Sequence, residues 1–213
     1  MKYVKTLGLA AVAAMALMAF FGASSASATV LCKTTITEGC VSSGQHYPAG
    51  TQIVATSTNT KLTAGSATVS CAHSEVKGKT SNTGSASETV FGPISTLTFT
   101  TCSSTVHVLN PGSLEVHHLN KTAEKPRQMG SLTSKNAAVT VNIFGVSCVY
   151  GTSAAGTNLG VITDNAGSNP STTTVDIATT VERKEGGFLC PSTGVWEGTY
   201  TITSPHSLFI AKS

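Results

Sequence analysis

The sequence predicts an all-β protein: an antiparallel β-sandwich of immunoglobulin-like or Greek-key style, stapled by disulfides and preceded by a cleaved leader. Three observations predict it. Apolar residues recur with a period of two along short Thr/Val-rich runs, and no segment beyond the leader sustains a helical period. Clusters of Gly, Ser, Asn and Pro punctuate those runs at the spacing of sandwich strands. Six cysteines, an even number in a chain with an export signal, are spread along its length.

The leader comes first. Lys2 and Lys5 precede an apolar run from Leu7 to Phe21, and Gly22 to Ala28 are small residues that offer an Ala-x-Ala site before Thr29. This is the layout of a signal peptide over residues 1–28. The apolar run is shorter than the roughly 20 residues of a spanning helix, and no basic residues follow it as a stop-transfer signal. Residues 29–213 are then expected as one secreted domain without a membrane span, with a possible two-half organisation near 120–135.

Tyr47-Pro48-Ala49-Gly50 is a turn leading into a strand over Thr51 to Thr58, and Thr68 to Ala72 follows with Val69 and Cys71 on one face. Gly78 to Ser87 reads as an exposed loop. The strongest β pattern runs from Ser95 to Asn120 around Asn110-Pro111-Gly112-Ser113, where Pro and Gly occupy the central positions of a type II turn. Leu97 and Phe99 share a face, whereas Cys102 has the opposite parity. Either its sulfur bonds on the other face, or a bulge at Thr100-Thr101 turns it inward.

A two-residue loop at Pro111-Gly112 would set Leu109 against Leu114, His107 against Val116 and Val106 against His117. His107 and His118 would then be diagonal neighbours. Type II turns fit tight hairpins poorly, so that register stays open.

Lys121 to Gly130 is charged and aperiodic, the pattern of a linker or flexible loop. Beyond it, Val139, Val141 and Ile143 share one parity, as do Val146, Cys148 and Tyr150. Strands are expected at Leu159 to Thr163 and Val175 to Val181, separated by a dense turn signal from Asp164 to Pro170. Glu182 to Gly187 reads as a charged turn. Trp196, Tyr200 and Ile202 fall on one face, with Trp196 as a core anchor, and Leu208 and Ile210 close the chain. Some ten short strands result. The matching triplets Val69-Ser70-Cys71 and Val146-Ser147-Cys148 hint at two related halves.

Sequence leaves the disulfide connectivity open. Pairing neighbours in order would join Cys32 to Cys40, Cys71 to Cys102 and Cys148 to Cys190. Each of the two longer loops would contribute about 3 to 4 kcal/mol through the unfolded chain. A metal cluster is a poor alternative because no Cys-x-x-Cys occurs.

The formal charge of +3 includes Lys2 and Lys5, so the processed chain is close to neutral. That is no electrostatic footprint for nucleic acid. Charged residues make up 11% of the chain, against about 25% in ordinary soluble domains, and hydroxyl side chains fill the gap. Extracellular β proteins share this composition, as do subunits of surface layers and filaments.

No catalytic residue or cofactor emerges. His107 and His118 are weak metal candidates, lacking an evident third ligand. Asp164 lies in a Gly/Asn-rich turn without the oxygen spacing of a calcium loop. Ser147, in Gly145-Val146-Ser147-Cys148-Val149, lacks the second glycine of a nucleophile elbow. Glu115 and Glu197 could be proposed as paired carboxylates, but nothing in the sequence places them together. Asn120-Lys121-Thr122 is a formal glycosylation sequon. No phosphate loop or His-Glu-x-x-His motif is present.

The blocks Leu31-Cys32, Gly50-Thr51, Val69-Ser70-Cys71, Leu97 to Cys102, Ser147 to Tyr150, Leu189-Cys190-Pro191 and Trp196 to Thr203 resemble a group of secreted, six-cysteine actinobacterial β proteins. The resemblance covers nearly the whole processed chain and implies one disulfide-stapled β domain of an exported, often envelope-associated lineage. It brings no activity with it. The charged loop around Lys125-Pro126-Arg127 and the paired histidines depart from that group.

The function expected first is a non-catalytic extracellular or cell-surface protein, structural or adhesive, that binds a cell-envelope polymer or self-associates through edge strands. An alternative is a secreted small-molecule carrier with a cleft in its sandwich, whose signature would be a contiguous apolar pocket lined by Phe or Tyr. A secreted hydrolase comes third.

Overall fold

The computed structural model describes residues 28–34, 40, 43–120, 128–165 and 172–213. Residues 1–27 of the expected leader (1–28), residues 121–127 and most of the segment after Asp164 expected as a turn lie outside these residues, as do Lys121 and Thr122 of the sequon. Among the described residues there is no α-helix. The strands are β1 (Val30–Cys32), β2 (Gln52–Ser57), β3 (Thr60–Ala64), β4 (Ala67–Lys79), β5 (Val90–Cys102), β6 (Val106–Asn110), β7 (Ser113–His118), β8 (Gln128–Lys135), β9 (Ala138–Ile143), β10 (Val146–Gly151), β11 (Thr157–Asn165), β12 (Thr172–Glu185), β13 (Thr193–Ser204) and β14 (Phe209–Ala211).

The all-β class and the three disulfides are as the sequence predicts, but the sandwich is replaced by a barrel-like closure. One antiparallel sheet runs β2-β13-β3-β4-β5-β7-β8-β11-β12-β10-β9-β6, and β2 also pairs with β4 and β13 with β12. These extra pairings close a ring of eight strand positions. The short strands β2 and β3 share one position. β2 bridges the end of β4 to the end of β13, and β3 bridges their first halves. A closed sheet leaves no edge within the ring, which two facing sheets could not achieve.

Strands β10, β9 and β6 continue outward from the last residues of β12, beginning with the pairing of Gly151 to Glu182. The strand count exceeds expectation because β1, β3 and β8 are strands where none was expected, and two segments read as a loop and a turn lengthen their strands. β4 continues through Gly78 to Lys79, bending at a register shift between Lys77 and Gly78. Glu182 to Glu185 stays in β12, held by β13 on one side and β10 on the other. Gln128 to Lys135, read as aperiodic at its start, is an interior strand between β7 and β11. Met129, Leu132 and Ser134 are buried, while Ser131, Thr133 and Lys135 are partly exposed.

The expected hairpin about Pro111-Gly112 is the main correction. β6 pairs with β9, Val106 opposite Val141 and His107 opposite Thr140, whereas β7 pairs with β5 and β8. The turn chemistry is present: Gly112 has φ +75°, and its N–H donates to Asn110 Oδ1 at 3.0 Å. A type II corner does not match the twist of a tight hairpin, so here it carries the chain from one sheet region to another. A Cβ on Gly112 would stand 2.4 Å from the Lys135 carbonyl oxygen, so only glycine fits this crossing.

The disulfides join neighbours in order, Cys32–Cys40, Cys71–Cys102 and Cys148–Cys190. Cys71 and Cys102 are directly opposed on β4 and β5. Thr101, with φ +53°, supplies the local irregularity anticipated beside Cys102.

The chain ends meet in a two-stranded piece, with Val30 opposite Ala211 and Cys32 opposite Phe209. Val30, Leu31, Leu208, Phe209 and Ile210 are buried against the barrel. Thr173 donates to the Leu208 carbonyl, Tyr47 donates to the Ser207 carbonyl at 2.6 Å, and the His118 N–H donates to Thr29 Oγ1 at 2.9 Å. This pair therefore closes the end of the barrel at which β7 and β13 finish and β12 begins.

Candidate functional site

The site that the fold builds is its interior. Alternate residues of each ring strand point inward, and where the long strands β4, β5, β12 and β13 run past the ring they carry that interior toward β9 and β10. Two buried clusters result, one behind the terminal pair and one around Val141, Ile143, Cys148, Tyr150 and Cys190. Trp196 packs against both. Between them lies a cavity of about 200 Å³.

Its walls include Leu62 of β3, Leu97 and Phe99 of β5, Val141 of β9, Ile177 of β12 and Trp196 of β13. Trp196 meets Phe99 and Tyr200 edge to face, with ring centroids 6.2 and 6.4 Å apart. The parity that put Trp196, Tyr200 and Ile202 together in the sequence holds, and all three line this space.

The polar groups at the wall are satisfied by the protein itself. Tyr200 and Ser74 share a hydrogen bond of 2.8 Å, and burial pushes the Tyr200 phenol up to about 12. Tyr150 donates to the Pro191 carbonyl at 2.9 Å, and burial raises its pKa too. Thr152 Oγ1 accepts from the Ala137 N–H at 2.9 Å and lies 3.3 Å from Ser134 Oγ. Among the described lining residues there is no Asp, Glu, His or Arg, and the two lysines, Lys61 and Lys79, are exposed at the rim. The inner wall is therefore apolar and suited to a neutral guest, because a charged group placed there would lose its hydration.

A seam in the sheet runs alongside the cavity. β5 pairs with β7 only from Val90 to Pro93. The Ile94 N–H still donates to the Gly112 carbonyl at 3.0 Å, but β7 begins at Ser113, and beyond that point β5 is paired with β4 while β6 has joined β9. Ile94, Leu97, Phe99, Val106, Pro111 and Val139 line the cavity along this parting.

The chain matches no family model, no curated protein and no solved structure. Function therefore rests on the geometry.

The residues weighed for chemistry are not brought together. His107 is exposed on β6, whereas His118 ends β7 opposite Gly130 of β8, so the diagonal relation fails with the hairpin that would have produced it. Glu115 lies on β7 with Lys135 Nζ at 2.6 Å and a 2.6 Å hydrogen bond from Thr89. Those two hydrogen bonds hold its carboxyl below the usual range. Glu197 instead pairs with Lys61 at 3.2 Å on β3. Ser147 is exposed on β10 opposite Asn142, and Asp164 is buried in β11 opposite Thr173.

The six cysteines are all paired, which points to an oxidising, extracellular type of compartment. Among the described residues no helix is long and apolar enough to cross a membrane.

Proposed function

We propose that this protein binds a compact, uncharged apolar molecule inside its barrel and carries or stores it outside the reducing cytosol. One observation carries this reading: a contiguous apolar cavity with an aromatic wall of Phe99, Trp196 and Tyr200. A well-packed interior leaves few voids larger than a water molecule. A dry cavity of about 150 Å³ lined by aliphatic and aromatic side chains takes up benzene, so about 200 Å³ suits a molecule of one or two small rings. The guest is recognised by shape and desolvation, and the seam between β5 and β6 is its route in.

The sole tryptophan supplies the test. Titration with neutral probes such as naphthalene, and with the anion naphthalene-2-sulfonate as a control, should shift Trp196 emission saturably for the neutral compound alone. The absence of a saturable change with any neutral aromatic or cyclic aliphatic probe would overturn the proposal.

The cell-surface reading keeps one supporting observation. β6 ends the sheet order and exposes Leu109, an edge to which another copy could add a strand. Sedimentation velocity should then show assembly that is lost on Leu109→Lys.

A further inference from the structure

Opposite the closed end of the barrel, two turns project large apolar side chains into water. Phe144, in the β9–β10 turn, is 76% exposed; Phe188 and Leu189, between β12 and β13, are 93% and 54% exposed. The two turns open at the same end because β10 and β12 run antiparallel, with Val149 opposite Glu185. The Cys148–Cys190 disulfide ties one to the other.

The backbone of this tip is built for display. Phe144 and Gly145 have φ +51° and +82°, the two-residue type I′ pattern that favours Asn-Gly. A bulky aromatic in the left-handed region is strained, and such outliers persist where something other than stability selects them. The turn is braced by the Gly145 N–H donating to Asn142 Oδ1 at 2.9 Å. The second turn is braced by Arg183, whose guanidinium donates to the carbonyls of Gly187 and Cys190.

We propose that this tip inserts Phe144, Phe188 and Leu189 into the apolar layer of a zwitterionic lipid bilayer. Charge favours that occupant. Glu182 and Lys184 pair at 3.0 Å, the stretch Glu182 to Glu185 carries two acidic and two basic residues, and residues 29–213 are close to neutral, so nothing steers the tip to an anionic surface. The side chains stand up from two separate turns. A fluid apolar layer accepts such projections without a shaped complement, while the rigid barrel keeps them together. This site is separate from the cavity and does not rest on its proposed guest.

Vesicle flotation with pure phosphatidylcholine tests it, using the wild type, Phe144→Asn, the double variant Phe188→Ser/Leu189→Ser, and Val106→Phe as a seam-blocked control. Wild type and V106F should float with vesicles, with partitioning unchanged between about 0.1 and 1 M salt, where the Debye length falls from about 10 to 3 Å. Each tip variant should lose about tenfold or more in partitioning. F144N should unfold at the same temperature as the wild type or higher, because Asn relaxes the turn, so its loss of binding is not a loss of fold. The proposal fails if the wild type stays in the aqueous fraction, or if F144N floats as the wild type does. Dimers that disappear in the tip variants, without any vesicle binding, would make the tip a contact between copies and would also overturn it.

Discussion

Glu115 and Tyr200 are opposite cases of one rule, that a neighbour or a lack of water decides which protonation state the fold prefers. Glu115 is held low by Lys135 and Thr89, so its stabilisation is complete above the unfolded value of about 4.3 and is lost as pH falls through the lower folded one. Glu115→Gln should cost about 1 to 2 kcal/mol at neutral pH and flatten the acid limb of the urea midpoint plotted against pH. Tyr200 is raised to about 12 from 10.0, so its contribution is intact below pH 10 and declines as pH rises from there toward 12. Tyr200→Phe should remove that alkaline decline and cost about 1 kcal/mol at neutral pH by leaving the Ser74 hydroxyl without its partner. Guanidinium midpoints between pH 7 and 11.5 would check it.

The strands divide into those that local pattern reveals and those that only closure explains. The shared parities of Val139, Val141 and Ile143 and of Trp196, Tyr200 and Ile202 were readable, because an inward face in a sheet repeats every second residue whatever the sheet then does. The neighbour-to-neighbour cysteine pairing was readable for a related reason, since consecutive antiparallel strands tend to lie side by side. The partner of β6 was not. Nothing in Val106 to Asn110 specifies Ala138 to Ile143 over Ser113 to His118, and the choice is made by how the ring closes. The cavity was equally hidden, because alternation tells which side chains face inward but not whether their volumes fill the space. Among the connections, Cys148–Cys190 holds the outermost strands to the ring. Changing both residues to alanine should lower stability by about 4 kcal/mol, given the sequence separation of 42. Loss of amide-exchange protection should be greatest in β9 and β10. A uniform loss over the whole sheet would contradict that division.

At the scale of the molecule, a barrel that leaves about 200 Å³ unfilled forgoes stability that larger side chains would supply, at roughly 24 cal/mol per Å³ of void. Val106→Phe, placed at the seam, should therefore hold or raise the free energy of unfolding by up to about 1 kcal/mol while abolishing the response of Trp196 to neutral probes. A fall in stability together with retained probe binding would show that the space near Val106 is already occupied. The pairing of Val30 with Ala211 has a kinetic meaning as well. A seal made from the first and last strands joins contacts separated by nearly the whole described chain, the costliest kind of loop to close. The end of the barrel cannot be sealed until β14 has been made, so its closure is a late event that follows the assembly of the strands between.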